Sequence, residues 1–217
     1  MRVHEIEGHG FSGNIFLIDS EKPCLIDAGW DPDIAYCTEQ IKQILGGRKL
    51  HSIVLTHRHI DHVGGAMSFY GEYGGDLYAH ADDAQALISG DQDSTGAKMF
   101  GGHIDPMPLT PISEGDRIDL GGGESLKVIH TPGHTVGSMC LLGPGCLFSG
   151  DTVFADGGVG RWDLDTGNYS QLLASVEKIS ELDVESLFPG HGPSVEGNAA
   201  AHIGLSLRHL RLIGRYG

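Results

Sequence analysis

Within Thr56-His57-Arg58-His59-Ile60-Asp61-His62-Val63-Gly64-Gly65, four metal-ligating side chains fall inside six residues: His57, His59, Asp61 and His62. His57 and His59 are two apart, so in extended or loop-like chain they can face the same way. Asp61 and His62 follow at once and can turn toward a second point. Packing does not account for the cluster, because three imidazoles and a carboxylate buried without partners would cost several kcal/mol. A solvated turn is the bland alternative. The functional reading is a metal site for two ions.

Three further strand ends repeat the pattern. Ser125 to His130 leads to Thr131-Pro132-Gly133-His134-Thr135, Cys146 to Ser149 leads to Gly150-Asp151-Thr152, and Val184 to Phe188 leads to Pro189-Gly190-His191-Gly192. Each is an apolar strand, a tight turn and a ligand-type side chain. Taken singly, each reads as an ordinary turn residue. Together with the His57 cluster they supply five histidines and two aspartates. That set suits two borderline ions, each with several nitrogen ligands and a carboxylate between them.

The elements that must carry these residues follow from apolar patterning. His51 to Leu55 reads as a buried strand emptying into the His-rich turn. Upstream, Val3 to Ile6, Asn14 to Asp19 and Cys24 to Asp27 read as strands. Ile34, Ile41, Ile44 and Leu45 mark an amphipathic helix that ends at Gly46-Gly47. Asp27-Ala28-Gly29 closes the third strand. Its carboxylate either caps a helix starting near Asp31-Pro32 or steadies a metal-bound imidazole from behind. Short helices are expected over Gly64 to Tyr73 and Asp82 to Ile88, the latter opening on acidic residues, with a strand over Asp76 to His80 between them.

Gly90 to Pro111 lacks periodicity and is long for a connection, which suggests a flexible flap near the site. His103 within it reads as solvent-exposed. Strands resume at Arg117 to Leu120, Ser125 to His130, Ser138 to Leu142, Cys146 to Ser149 and Val184 to Phe188. Helices are expected over Asn168 to Ile179 and Ala199 to Leu212. The recurrence of strands and helices without a linker implies two sheets with helices outside, in a single domain over 1–217.

Composition narrows the classes. The chain has 217 residues, 40% hydrophobic and 20% charged, which is ordinary for a globular protein with a real core. Lys plus Arg number 14 against 29 Asp plus Glu, a formal charge of −15. Such a surface argues against nucleic acid or an anionic membrane as partner. No apolar run reaches the roughly 18 residues of a membrane helix, and no signal-peptide pattern opens the sequence. Cys24, Cys37, Cys140 and Cys146 form no C-x-x-C pair and read as reduced core thiols. A cytoplasmic location is the expectation.

T-H-R-H-I-D-H, T-P-G-H-T, S-G-D-T and P-G-H-G, in this order and spacing, resemble the metallo-β-lactamase-fold superfamily, and the similarity runs from about Asp27 to His191. The resemblance implies an αβ/βα four-layer sandwich, two mixed β-sheets with helices on the outer faces and the site at one edge between the sheets. Carried over residue by residue, it implies His57, His59 and His134 on a first ion and Asp61, His62 and His191 on a second. Asp151 would bridge them, and Asp27 would be the aspartate that supports the site. Zinc is the expected metal, with iron or manganese as alternatives. Two such ions about 3.5–4 Å apart would share a water and lower its pKa to near 7, giving a hydroxide that attacks a carbonyl carbon. Asp61 beside it would accept or orient the proton.

Within the superfamily, Asp151 stands where the zinc β-lactamases most associated with resistance carry cysteine. His59 stands where oxygen-reducing di-iron relatives have glutamate. The short stretch from Asp151 to His191 leaves no room for the large insertions usual in the nucleases. Gly158-Val159-Gly160-Arg161-Trp162-Asp163-Leu164 through Gly167-Asn168 looks like a segment of glyoxalase II-type thioesterases and persulfide dioxygenases, in which the residue matching Arg161 helps bind glutathione. The alternative is an Arg161 that pairs with Asp163 or Asp165 to brace its loop. The short tail after His191 fits the short glyoxalase II-like proteins rather than the long ones with a helical substrate domain. The expectation is therefore a dinuclear hydrolase of a small thioester or ester, hydroxyacylglutathione hydrolase-type. A mononuclear-iron persulfide dioxygenase using His57, His134 and Asp151, or a lactonase, is the runner-up. A regulatory metal-binding domain is a third reading, and a homodimer stays open.

Overall fold

In the computed structural model, residues 1–30, 32 and 34–215 are described. The first sheet takes six strands in chain order: β1 (Arg2–Ile6), β2 (Ile15–Asp19), β3 (Cys24–Ile26), β4 (Ser52–Leu55), β5 (Asp76–His80) and β6 (Thr110–Ile112). β1, β2 and β3 are antiparallel neighbours, whereas β3 to β6 are parallel. The second sheet has the order β11-β10-β9-β8-β7, from β7 (Arg117–Gly121), β8 (Glu124–His130), β9 (Met139–Gly143), β10 (Cys146–Gly150) and β11 (Ser186–Pro189). Its pairs are antiparallel except β10 with β11. Helices α1 (Ile34–Leu45), α2 (Ile60–Val63), α3 (Ala66–Tyr73), α4 (Ala81–Ser89) and α5 (Ala97–Phe100) follow strands of the first sheet, and α6 (Tyr169–Ile179) and α7 (Ala199–Ile213) accompany the second.

The period-2 alternation of strands sorts the layers. Ile15, Leu17, Leu25, Ile53 and Leu55 face Ile41, Leu45, Phe69 and Leu87 of the first sheet's helices. Phe16, Ile18, Ile26 and Val54 point the other way and meet Leu126, Val128, Leu141 and Phe148 between the sheets. Ile129, Cys140 and Leu147 turn outward onto Leu172, Val176, Ile203 and Leu210 of α6 and α7. Helix, sheet, sheet, helix is the αβ/βα sandwich, with two mixed sheets.

Strand direction places the ligand turns. β8 is antiparallel to β9, β9 to β10, and β10 is parallel to β11, so β8, β10 and β11 run the same way. The turns after them, with His134, Asp151 and His191, therefore leave the second sheet at one edge. The sheets meet there, where Met139 N donates to the Thr56 carbonyl at 3.0 Å, directly after β4.

Some elements differ from the expectation. The first long helix is described from Ile34, and the start expected near Asp31 lies outside the described residues. The stretch from Gly90 to Pro111 is not a free flap. It contains α5, and Gln92 stitches it by donating to the Gly90 and Ile104 carbonyls at 2.7 Å each. Its end pairs as β6, where Pro111 is tolerated because the strand lies on the sheet edge. All four cysteines are buried.

Candidate metal centre

The seven predicted side chains come together. Ligand atoms of His57, His59 and His134 lie within 4.8 Å of one another, as do those of Asp61, His62 and His191. Asp151 stands between the two groups. Its Oδ2 is 3.5 Å from His134 Nε2 and 3.6 Å from His191 Nε2, while Oδ1 is 3.3 Å from His62 Nε2. Within the groups, His59 Nδ1 is 2.9 Å from His134 Nε2, and His191 Nε2 is 3.2 Å from His62 Nε2 and 3.1 Å from Asp61 Oδ2. Donors on one tetrahedral ion at about 2.0–2.1 Å stand roughly 3.3 Å apart, so this spacing fits.

Outer hydrogen bonds aim the rings inward. Asp27 Oδ2 accepts from His62 Nδ1 and from the Thr56 hydroxyl, both at 2.8 Å, and Oδ1 accepts from Thr56 N at 2.7 Å. Because the Thr56 hydroxyl spends its proton on Asp27, it accepts from His57 Nδ1 at 3.1 Å. His134 Nδ1 donates to the Arg161 carbonyl at 2.6 Å. In their neutral forms His57, His62 and His134 would therefore each keep an Nε2 lone pair for the site. His57 Nε2 and Asp151 Oδ1 are buried without a hydrogen-bond partner, which is costly unless something positive sits between them. A donor set of imidazoles and carboxylates with orphaned inward atoms fits divalent cations.

Charge agrees with this. Burial, reinforced by the neighbouring imidazoles, holds His57 well below the usual histidine range, and burial together with His134 pulls His59 down to about 3. Burial works against ionised Asp151 and Asp61, yet His62 and the other imidazoles outweigh it and keep both carboxyls below their ordinary values. Burial also opposes charge on His62 and His191. Asp151, Asp61 and Asp27 overcome it at His62, and Asp61 and Asp151 do so at His191, raising both. Anionic carboxylates beside His57 and His59, which are held neutral, make a cation trap in which His62 and His191 must give up a proton to bind.

Two features support the geometry that the sequence did not announce. Asp83 looked like an acidic residue opening α4, but it points inward and is buried. It accepts from Arg58 N at 3.1 Å, Gly137 N at 3.1 Å and the Thr135 hydroxyl at 2.6 Å, tying the His57 turn to the His134 turn. Only its burial, invisible in a polar tetrapeptide, distinguishes it from Asp82. Gly190 is the other: a Cβ there would sit 2.2 Å from Asp151 Oδ1. Arg161 lies at the cavity, but its guanidinium grips Asp163 through two bonds of 2.9 and 2.8 Å. His80, Asp82 and His130 also cluster, yet the two rings stack at 3.9 Å and 11°. In-plane lone pairs on parallel rings cannot converge on one ion.

A sequence model of the metallo-beta-lactamase superfamily matches residues 9–191, which hold all seven of these side chains. The chain belongs to this superfamily. Among curated relatives, a probable metallo-hydrolase of Methanocaldococcus jannaschii is 34% identical over 195 residues, 88% of this chain and 92% of that protein. A hydroxyacylglutathione hydrolase of Aeromonas hydrophila is 34% identical over 177 residues, 80% of this chain but only 58% of that protein. Among solved structures, a protein crystallised in a di-iron-bound form superposes with TM-score 0.76 at 30% identity, covering 94% of this chain and 97% of the other. A B3 metallo-β-lactamase superposes with TM-score 0.78 at 26% identity, covering 98% and 99%. The fold and the metallo-hydrolase class of this superfamily member are thus established. Among the described residues, no helix is long and apolar enough to cross a membrane.

Proposed function

We propose that the chain is a dinuclear metal-dependent hydrolase that cleaves a small thioester or ester. His57, His59 and His134 would hold one ion, Asp61, His62 and His191 the other, with Asp151 between them. The observation that carries this reading is the pair of complete three-residue groups on either side of one buried carboxylate. A mononuclear iron site built on His57, His134 and Asp151 would leave the second group without a task, so the dinuclear reading is preferred.

Two divalent ions supply, when bound, Lewis acidity toward a carbonyl and a water of lowered pKa. The protein's part is positioning and proton handling. Asp27 and the Arg161 carbonyl keep the imidazoles in the tautomers that face the centre. Asp61 stays ionised and lines the cavity of about 330 Å³ above the site, where it can take a proton from the attacking water and pass it to the leaving group. Zinc is our proposed metal. Iron is the alternative, supported by the di-iron relative and by a donor set without thiolate.

The test is a panel of thioesters and esters assayed before and after chelation. Nitrocefin belongs in the panel because a B3 metallo-β-lactamase is among the structural neighbours. Turnover of a thioester or ester that disappears with chelator and returns with zinc, iron or manganese is expected. Undiminished hydrolysis by metal-free protein would overturn the proposal, and so would oxygen uptake on a persulfide with one iron per chain.

A further inference from the structure

Phe11, Met99 and Phe100 stand 81%, 72% and 57% exposed, a costly placement for large apolar side chains, and all three crowd the mouth of the metal centre. The backbone presents two of them deliberately. Gly96 and Gly101 take positive φ of 73° and 71° on either side of the four-residue α5, whose Ala97 is buried while Met99 and Phe100 look outward. The segment is seated firmly. Ile60 N donates to the Thr95 carbonyl at 2.9 Å, and Gly102 fits so closely that a Cβ would lie 2.3 Å from Ile60 Cδ1. Thus α5 is pinned to the same turn that carries Asp61.

Met99 and Phe100 form one wall of the 330 Å³ cavity, and Phe154, Val159 and Leu164 form others. A second cavity of about 260 Å³ opens beside it, with Phe11 and Trp30 in its wall and Asp61, His191 and Phe100 shared with the first. Two apolar grooves therefore meet at the candidate reacting centre.

The charges around the first groove are already matched. Arg161 is held by Asp163 at 2.8 Å, Lys98 by Asp93 at 3.0 Å, and the buried Arg58 by Asp165 at 2.9 Å. Arg161 lines the cavity, and two of its three guanidinium nitrogens, Nε and Nη2, are held by the two Asp163 carboxylate oxygens. A ligand carrying free carboxylates would have to compete with these pairs and approach a strongly acidic chain. An alkyl or aryl group would meet side chains that gain by being covered.

We infer that the substrate is an uncharged thioester or ester with an apolar acyl group, which Phe11, Met99 and Phe100 select, and that thioesters of carboxylate-bearing thiols such as glutathione are disfavoured. This rests on the hydrolase reading above and narrows its substrate. Each buried methylene contributes enough to raise kcat/KM by about fourfold until the groove is filled.

The experiment compares straight-chain acyl thioesters, acetyl to octanoyl, of neutral N-acetylcysteamine with the same acyl groups on glutathione, using zinc-loaded protein. Expected are a rise in kcat/KM with chain length and at least tenfold preference for the neutral thiol at equal chain length. Phe11→Ser and Phe100→Ser should each flatten the rise, whereas Ile213→Ser, exposed but lining neither cavity, should leave it intact. As a readout free of catalysis, metal-free protein should bind the hexyl thioether of N-acetylcysteamine at least tenfold more tightly than the ethyl thioether in calorimetry. Turnover with a flat chain-length profile, or with glutathione thioesters preferred, overturns this inference and leaves the hydrolase reading standing. No turnover of any thioester or of the matching esters by metal-loaded protein overturns both.

Discussion

Asp27→Asn removes one charge and two lone pairs from the point that orients both groups of histidines. The wild-type carboxylate receives three donors, Thr56 N at 2.7 Å and the Thr56 hydroxyl and His62 Nδ1 at 2.8 Å. An asparagine can satisfy them only in part. With its oxygen on Thr56 N, the amide NH₂ faces His62, which must then move its proton to Nε2 and lose the lone pair aimed at the centre. With its oxygen on His62, the NH₂ opposes Thr56 N, a buried donor against a donor. Loss of such an outer partner typically lowers metal affinity 10- to 100-fold, about 1.4 to 2.7 kcal/mol. Asparagine is the informative substitution because it tolerates the positive φ of 56° at this position, so backbone strain does not confuse the result. Metal content measured across buffered free-zinc concentrations should show the ion between Asp61, His62 and His191 weakened most. Equal zinc stoichiometry and affinity in Asp27→Asn and wild type would refute the reasoning.

Further outcomes follow from other contacts. Asp83→Ala strands the buried donors of Arg58, Gly137 and Thr135, a loss of about 2–4 kcal/mol. Its melting temperature should fall by roughly 5–10 °C, and a change under about 1 °C would rule out the tying role. Zinc loading at neutral pH should release protons, because Asp151 and Asp61, against the effect of burial, raise His62 and His191 above the ordinary histidine value. Since each must lose its proton to become a ligand, zinc affinity should climb as pH rises toward those raised values and then level off. Calorimetry in buffers of different ionisation enthalpy measures this, and buffer-independent heats would contradict it. Burial pushes the Cys24 thiol up to about 12 and Cys146 to about 11, so the native protein should resist alkylation at pH 8. Rapid labelling of either thiol in native protein would show that those sites open.

The convergence of the seven side chains was readable because metal chemistry restricts residue type and strand-end spacing at once. His57, His59, Asp61 and His62 sit in one turn, and His134, Asp151 and His191 each follow an apolar strand and a glycine. The layers were readable for a similar reason, since Phe16 and Leu17, or Val54 and Leu55, alternate between two apolar environments. Asp83 was not readable, because its burial depends on α4 docking against turns more than 20 residues before it and 50 after it. The sequence leaves Arg161 free either to bind a ligand or to pair with Asp163, and its two bonds of 2.9 and 2.8 Å to Asp163 fix the pairing. The apolar mouth was equally hidden. Phe11, Met99 and Phe100 come from two segments whose approach depends on Gly102 packing against Ile60 and Trp30.

Zinc-loaded crystals measured above and below the zinc absorption edge test the central claim most directly. Two anomalous peaks are predicted, one among His57, His59 and His134 and one among Asp61, His62 and His191, with Asp151 touching both. Zinc bound elsewhere, or His134 or His191 turned away from the peaks, would contradict the account.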